Sequence, residues 1–368
     1  MAAQAACRTC SPSAVNNALS AGGGAFVLHQ THELLDLARR CDDAGLPHIS
    51  FKGPTLALLA YGNLAARRSN DLDFLFRIGD MERALTLLIR RGYQPVPPAP
   101  SRLSAEYLRR ANHCRLIHRE TGIQIEPHWR LLPVRFAPRL DLDGVWERCQ
   151  SVILGGTALR TLGPEDLTLY LALHGYAHRW ERIQWLEDLH RIVQRYPELD
   201  WNSVVSRASQ GGVERALFAA LELSCRMFST EIPQEILRAA RRDSRCVALA
   251  DVGESAVRAG RNLGGRPRRE LELITFRARG HSRWLDTVRF LAASLLEPTC
   301  WDLASVRLPP SLRLMYYAVR PPRLALVYVR MALAGTRRFA VRLSRTRVIR
   351  MASPHASPGL NPWSDPRR

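Results

Sequence analysis

Lys52 is the one lysine in a chain with 53 basic residues, and it stands in Phe51-Lys52-Gly53-Pro54, upstream of Asp71-Leu72-Asp73. An ammonium is a compact point charge that arginine's planar fork does not copy, which matters where phosphate lies close to backbone. Aspartates at i and i+2 of a strand project from one face, roughly 6–7 Å apart along the backbone, and can serve one shared space. Carboxylates converging in this way hold the divalent ions of phosphoryl-transfer sites, which lie about 3.5–4 Å apart when there are two. Glu126, in Ile125-Glu126-Pro127, is the candidate third carboxylate, on a neighbouring strand. Gly53 leaves room for phosphate oxygens beside the backbone, and the N-terminus of the helix after it adds partial positive charge. Arg67, Arg68, Ser69 and Asn70 directly precede the acids and are candidates to contact a triphosphate. Asp-x-Asp alone is common on solvated strand ends; a Lys-Gly turn upstream and a strand glutamate downstream make the combination much rarer. Removing one acid should relieve like-charge crowding, so Asp73→Asn is expected to leave folding intact.

The elements that position these residues are readable from periodicity. His29 to Ala44 has an apolar stripe of Leu34, Leu35, Leu37, Ala38 and Cys41 at helical spacing, stopped by Gly45-Leu46-Pro47. His48 to Phe51 is a short strand, Pro54 to Tyr61 a helix, and Asp71 to Arg77 a strand with Leu72, Phe74 and Phe76 on the face opposite the acids. Asp80 is expected to cap a helix through Arg91, closed by Gly92. Ile123 to Trp129 is a further strand, whose proline predicts an edge or a strand end. From Pro164 onward the patterns are helical, with acids in the first turn at Glu165 and Asp166. Further helices are expected over Ser203 to Phe228, Pro233 to Arg258 and Arg283 to Leu295. The resulting expectation is an α+β fold, a mixed sheet with flanking helices, followed by an α-helical domain. Its boundaries are a loose N-terminus at 1–28, a sheet-bearing domain at 29–163, a helical domain at 164–351 and a disordered tail at 352–368.

Composition bounds the partners. Net charge of +19 predicts attraction to nucleotides, nucleic acid or anionic lipid without choosing among them. Between Arg307 and Arg350 there are 11 arginines and no acid, interleaved with apolar residues. This segment is expected to pack through Leu314, Tyr317, Leu324 and Tyr328 and to offer its arginine face to a polyanion, either RNA or a membrane surface. Cys7-x-x-Cys10 resembles half a zinc site, but no second Cys or His pair follows at a useful distance, so no metal is expected there. The opening residues lack a signal-peptide pattern, and no apolar stretch is long enough to span a bilayer. Scattered cysteines suit a reducing cytoplasm, with membrane-peripheral attachment left open.

Phe51-Lys52-Gly53, Tyr61-Gly62, Arg67 or Arg68, Asp71-Leu72-Asp73-Phe74-Leu75 and Ile125-Glu126-Pro127-His128-Trp129 together resemble the uncharacterised bacterial nucleotidyltransferase family, within the DNA polymerase β-like nucleotidyltransferase superfamily. A later helix resembles the family pattern through Leu171, His174, His178, Trp180, Trp185 and Asp188. The resemblance implies a nucleotidyltransferase fold and transfer of a nucleoside monophosphate from an NTP, such as ATP, to a hydroxyl or phosphate acceptor. That acceptor is a small molecule, peptide, protein or RNA. Asp71, Asp73 and Glu126 would hold two Mg²⁺ ions, with Mn²⁺ as a substitute, and Lys52 would neutralise charge as pyrophosphate leaves. Lys52, Gly53, Arg67, Arg68 and Ser69 would bind the nucleotide; register slightly favours Arg68 as the family's arginine. The superfamily's Gly-Ser or Gly-Gly pair is replaced here by Gly53-Pro54, farther upstream. His174 and His178 share a helix face and either reach the active site from the helical domain or pack beside Trp180 and Trp185. Two other readings are a non-catalytic binding protein on the same fold, holding RNA or a partner, and a metal-dependent glycosyltransferase using Asp-x-Asp.

Overall fold

A strand with carboxylates on one face and Leu72, Phe74 and Phe76 on the other needs an apolar layer beneath it, and the chain supplies one. The computed structural model describes residues 23–96, 103–136, 139–259, 266–299, 302–303, 308–312 and 314–326. Helix α1 (Gly23–Asp43) begins earlier than the expected His29, and buries Leu34, Leu37, Ala38 and Cys41. Then come β1 (His48–Ser50), α2 (Gly53–Tyr61), β2 (Asp71–Phe76), α3 (Met81–Arg90), β3 (Tyr93–Pro95), α4 (Ala105–Arg110), β4 (Leu116–His118) and β5 (Gln124–His128). The five strands form one mixed sheet in the order β1-β2-β5-β4-β3, with β2 and β5 parallel and the other pairs antiparallel. Leu72, Phe74 and Phe76 are all at most 2% exposed, so the apolar face of β2 is core.

One local expectation is corrected by the structure. Asp80 makes no side-chain cap to α3; its carboxylate accepts instead from Arg83 Nη1 at 2.9 Å. Pro127 is the next-to-last residue of β5, at the expected strand end, although β5 is an inner strand of the sheet. It sits beyond the stretch of β5 that pairs with β4, where its carbonyl still accepts from Cys114 N at 3.2 Å, so its missing N–H removes no rung of that ladder.

After α5 (Leu142–Glu147), a hairpin of β6 (Gln150–Leu154) and β7 (Thr157–Thr161) turns through Gly155 and Gly156. Both glycines have positive φ, +55° and +80°, as a two-residue hairpin turn requires. Helices α6 (Pro164–Ala177), α7 (Ile183–Arg195), α8 (Trp201–Gly211), α9 (Glu214–Phe228), α10 (Gln234–Arg242), α11 (Ser244–Ala259), α12 (Arg266–Arg279) and α13 (Trp284–Leu296) follow. Helix α6 is buried on nearly every side, which marks it as the axis around which the others pack. The expected helix over Ser203 to Phe228 is two, broken at Gly212 with φ +72°. The one expected over Pro233 to Arg258 is also two, because Asp243 turns the chain, its carboxylate accepting from Arg245 N at 3.0 Å.

The described residues up to Arg320 belong to one compact unit. A second unit begins at Pro321 and is described at residues 321–326, which are helical. Of the expected packing residues, Leu314 and Tyr317 are 74% and 44% exposed, whereas Tyr316 is 7% exposed and Arg320 is buried. Tyr316 thus takes the packing place expected of Tyr317, Leu324 is half-buried, and the Tyr317 ring instead receives the Arg110 guanidinium at 5.3 Å. Tyr328, most of the basic segment, Cys7, Cys10 and the expected tail lie outside the described residues. Among the described residues no helix is long and apolar enough to cross a membrane.

Candidate active site

The parallel pairing of β2 with β5 determines the arrangement of the acids. Asp73 lies in register with Glu126, and residues side by side on adjacent strands point to the same sheet face. Asp71, two residues earlier on β2, shares that face. Asp71 and Glu126 line a cleft of about 960 Å³, while Asp73 lies at the sheet with its side chain fully buried. Lys52, Arg67, Arg68, Ser69, His174 and His178 line the same cleft.

Lys52 arrives from the end of β1. Its backbone is extended, Gly53 follows at φ +57°, and α2 starts at once with Pro54 in its first turn. A Cβ on Gly53 would stand 3.3 Å from the Asp71 carbonyl oxygen, so the turn passes close against the first acid. Lys52 Nζ donates to Asp73 Oδ1 at 2.9 Å. Burial works against the ammonium, yet Asp73, Tyr170 and Asp71 more than offset it, so Lys52 is held charged. Burial likewise opposes an ionised Asp73, but Lys52 and His128 together hold its carboxyl below the usual range.

The crowding therefore falls on Asp71. Burial, then the charges of Asp73 and Glu126, push its carboxyl up to about 6. This revises the expectation for Asp73→Asn: Asp73 is the compensated acid, and its removal would leave the buried Lys52 ammonium without its partner. Burial raises Glu126 as well, but the nearby His128 and His113 outweigh it and keep the carboxyl low.

The donor set suits a hard dication. Asp73 Oδ2 is buried with no hydrogen-bond partner, and at Asp71 burial and the charges of Asp73 and Glu126 outweigh the relief from Lys52 and His128. Carboxylate oxygens are the ligands that Mg²⁺ takes, with water or phosphate filling its remaining positions.

Other candidates have more constrained surroundings. Arg67 Nε and Nη2 donate to the two oxygens of Asp188 at 2.9 and 3.0 Å, and Tyr61 Oη donates to the same carboxylate at 2.9 Å. Arg67 is thus engaged in the frame of the loop, whereas Arg68 is exposed at the cleft, its carbonyl accepting from Gln184 Nε2. Ser69 Oγ donates to the Asp71 carbonyl at 2.8 Å and so orients the start of β2. His174 and His178 have ring centroids 4.9 Å apart, and each packs on Trp185 at 5.3 and 5.0 Å. Burial first, then the charge of Lys52, holds His174 well below the ordinary histidine range, so it is neutral.

Sequence reasoning missed His113, Tyr170 and the role of His128. His128 Nε2 lies 3.0 Å from Asp73 Oδ1 and 3.7 Å from Glu126 Oε2. Its signal was present: His128 is two residues after Glu126 on one strand and so shares its face. His113 had no such signal, because a loop brings it in.

A sequence profile described as an uncharacterised nucleotidyltransferase matches residues 18–229, more than half of the chain. The chain belongs to that family. Similar solved structures include ANT(2″)-Ia in complex with adenylyl-2″-tobramycin, at 13% identity over 50% of this chain and 97% of that one, TM-score 0.34. An antigenic nucleotidyltransferase-like protein from Paracoccidioides brasiliensis shows 13% identity over 60% of this chain and 92% of its own, TM-score 0.36. A solution structure of the antibiotic-resistance factor ANT(2″)-Ia gives 14% identity, 53% and 96% coverage, and TM-score 0.34. No curated protein matches the chain. This nucleotidyltransferase carries its two aspartates and its strand glutamate within the matched segment.

Proposed function

We propose that this nucleotidyltransferase moves a nucleoside monophosphate from an NTP to a hydroxyl or phosphate acceptor and releases pyrophosphate. The observation that carries this reading is the lateral alignment of Asp73 with Glu126 on parallel strands, with Asp71 on the same face. The acceptor oxygen attacks the α-phosphorus, the bond from that phosphorus to the bridging oxygen breaks, and the electron pair leaves with pyrophosphate. Glu126, low in pKa and at the cleft, is placed to receive the acceptor's proton. Lys52, held charged against Asp73, offsets negative charge as it shifts toward the leaving group. Arg68 and the opening turn of α2 supply further positive potential for the phosphates. Bound by Asp71, Asp73 and Glu126, Mg²⁺ would neutralise phosphate charge and increase the acidity of the acceptor.

Neutral His174 and the Trp185 ring offer a flat, uncharged wall in the same cleft, suited to a base or an acceptor. Free buried thiols such as Cys41 and Cys246 support a reducing, cytoplasmic setting. The test is incubation with each α-³²P-labelled NTP, Mg²⁺ and cell extract. Label passing to a discrete acceptor as pyrophosphate accumulates is the expected result; no label transfer with any of the four NTPs would end the proposal.

A further inference from the structure

His113, Glu126 and His128 meet at the floor of the cleft, on the β5 side of the aspartates. Glu126 Oε2 lies 3.6 Å from His113 Nε2 and 3.7 Å from His128 Nε2. One donor atom from each residue lies within 4.8 Å of the other two. Ligand atoms around a four-coordinate dication with bonds of about 2.0–2.1 Å stand about 3.3–3.5 Å apart, so small side-chain rotations would close this set on an ion.

The backbone holds the trio firmly. A β-bridge joins His113 to His128, and Trp129 N donates to the Asn112 carbonyl at 2.9 Å. The two imidazoles stack with centroids 4.7 Å apart. His128 Nδ1 lies 3.3 Å from the Arg130 carbonyl oxygen. With Nδ1–H donating along that contact, an ion would replace the Nε2 proton that faces Asp73 Oδ1 at 3.0 Å, which is how a metal-ligating histidine is normally oriented by its outer partner. A protonated His128 shared between Asp73 and Glu126 would account for that ring alone. It would not account for His113, whose Nε2 faces the same Glu126 oxygen at 3.6 Å.

The geometry points to a second kind of cation site in this cleft: His113, Glu126 and His128 bind one dication of the imidazole-favouring class, with Zn²⁺ or Co²⁺ as the type. It lies beside the all-oxygen position of Asp71, Asp73 and Glu126, which suits Mg²⁺, and shares the glutamate with it. Imidazole nitrogen favours Zn²⁺, Co²⁺ and their neighbours over Mg²⁺, whereas carboxylate and water favour Mg²⁺. The inference deepens the proposed transfer reaction by giving Glu126 a nitrogen-ligated ion, and it rests on that reading only through the shared glutamate.

The test uses the full chain stripped of metal and no nucleotide, with Co²⁺ titrated by visible absorption and calorimetry. The expected result is one Co²⁺ per chain, bound at least about tenfold tighter than Mg²⁺ and displaced by Zn²⁺. His113→Ala should weaken Co²⁺ by at least about tenfold while leaving Mg²⁺ affinity and melting temperature unchanged. Asp71→Asn should do the reverse, weakening Mg²⁺ and sparing Co²⁺. Equal Co²⁺ affinity in wild type and His113→Ala, or wild-type Co²⁺ binding no tighter than Mg²⁺, would overturn the site. Because no nucleotide is present, failure here leaves nucleotidyl transfer untouched, and absence of transfer leaves this binding result standing.

Discussion

Arg67 and Asp188, 121 residues apart in sequence, form a two-pronged ion pair whose side chains are 7% and 0% exposed. It ties the loop before β2 to α7, so the helical segment holds the approach to Asp71 in place. Tyr61, at the end of α2, donates to the same carboxylate and brings the Lys52 helix into the frame.

Breaking that pair from one side should therefore be costly. Asp188→Asn or Arg67→Met is expected to destabilise by about 3–5 kcal/mol, since each strands a buried charge. Arg67→Lys should recover only part, because an ammonium lacks the two-pronged geometry. Urea unfolding of the single and double variants reads the coupling. Purely additive losses would show that the two residues do not act as a unit.

Asp71 and Asp73 should respond oppositely to neutralisation. Without metal, Asp71→Asn is expected to be neutral or stabilising, because that carboxyl carries the crowding. Its folded value of about 6 lies above the ordinary 3.8, so the folded state holds the proton more tightly. Stability contributed by Asp71 is thus full below pH 3.8 and declines as pH rises toward about 6, after which the loss is constant. Asp71→Asn should remove that decline from the stability–pH curve. In wild type added Mg²⁺ should raise the melting temperature above pH 6, and in the variant it should not; an equal rise in both would remove Asp71 from the metal set.

Lys52 should tolerate neither loss nor exchange for arginine. Lys52→Met leaves the buried Asp73 with only His128 to offset it, with an expected cost of about 3–5 kcal/mol. Combining it with Asp73→Asn should restore much of the stability without restoring turnover. A Lys52→Arg enzyme with wild-type kcat would contradict the need for a compact charge at this position.

Gly53→Ala is expected to cost about 1–2 kcal/mol, from a left-handed φ and a Cβ against the Asp71 carbonyl. A variant of wild-type stability would mean that the turn relaxes freely.

The alternation of Asp71 and Asp73 against Leu72 and Phe74 was legible because a strand's period is two and the apolar face must be buried. What placed Glu126 beside Asp73 was the parallel register of two strands distant in sequence, which no local pattern encodes. The compensation of Asp73 by Lys52 and His128 was hidden for the same reason, and with it the reversal between the two aspartates. The Gly155-Gly156 hairpin was a readable signal left unread. The arginine-rich segment misled: its apolar residues alternate with others closely enough that a one-residue shift exchanges Tyr317 for Tyr316. Asp188 had a place in the family pattern but no partner until the fold brought Arg67 to it.

The central claim is that the carboxylates on β2 and β5 carry nucleotidyl transfer. The most direct measurement compares wild type with Asp71→Asn, with melting temperatures recorded alongside, using each NTP labelled in turn at its α- and γ-phosphate. The account predicts that wild type passes α-label but not γ-label to the acceptor, and that Asp71→Asn loses at least about 10²-fold in rate while remaining folded. Transfer of γ-label, or undiminished transfer by Asp71→Asn, would contradict it.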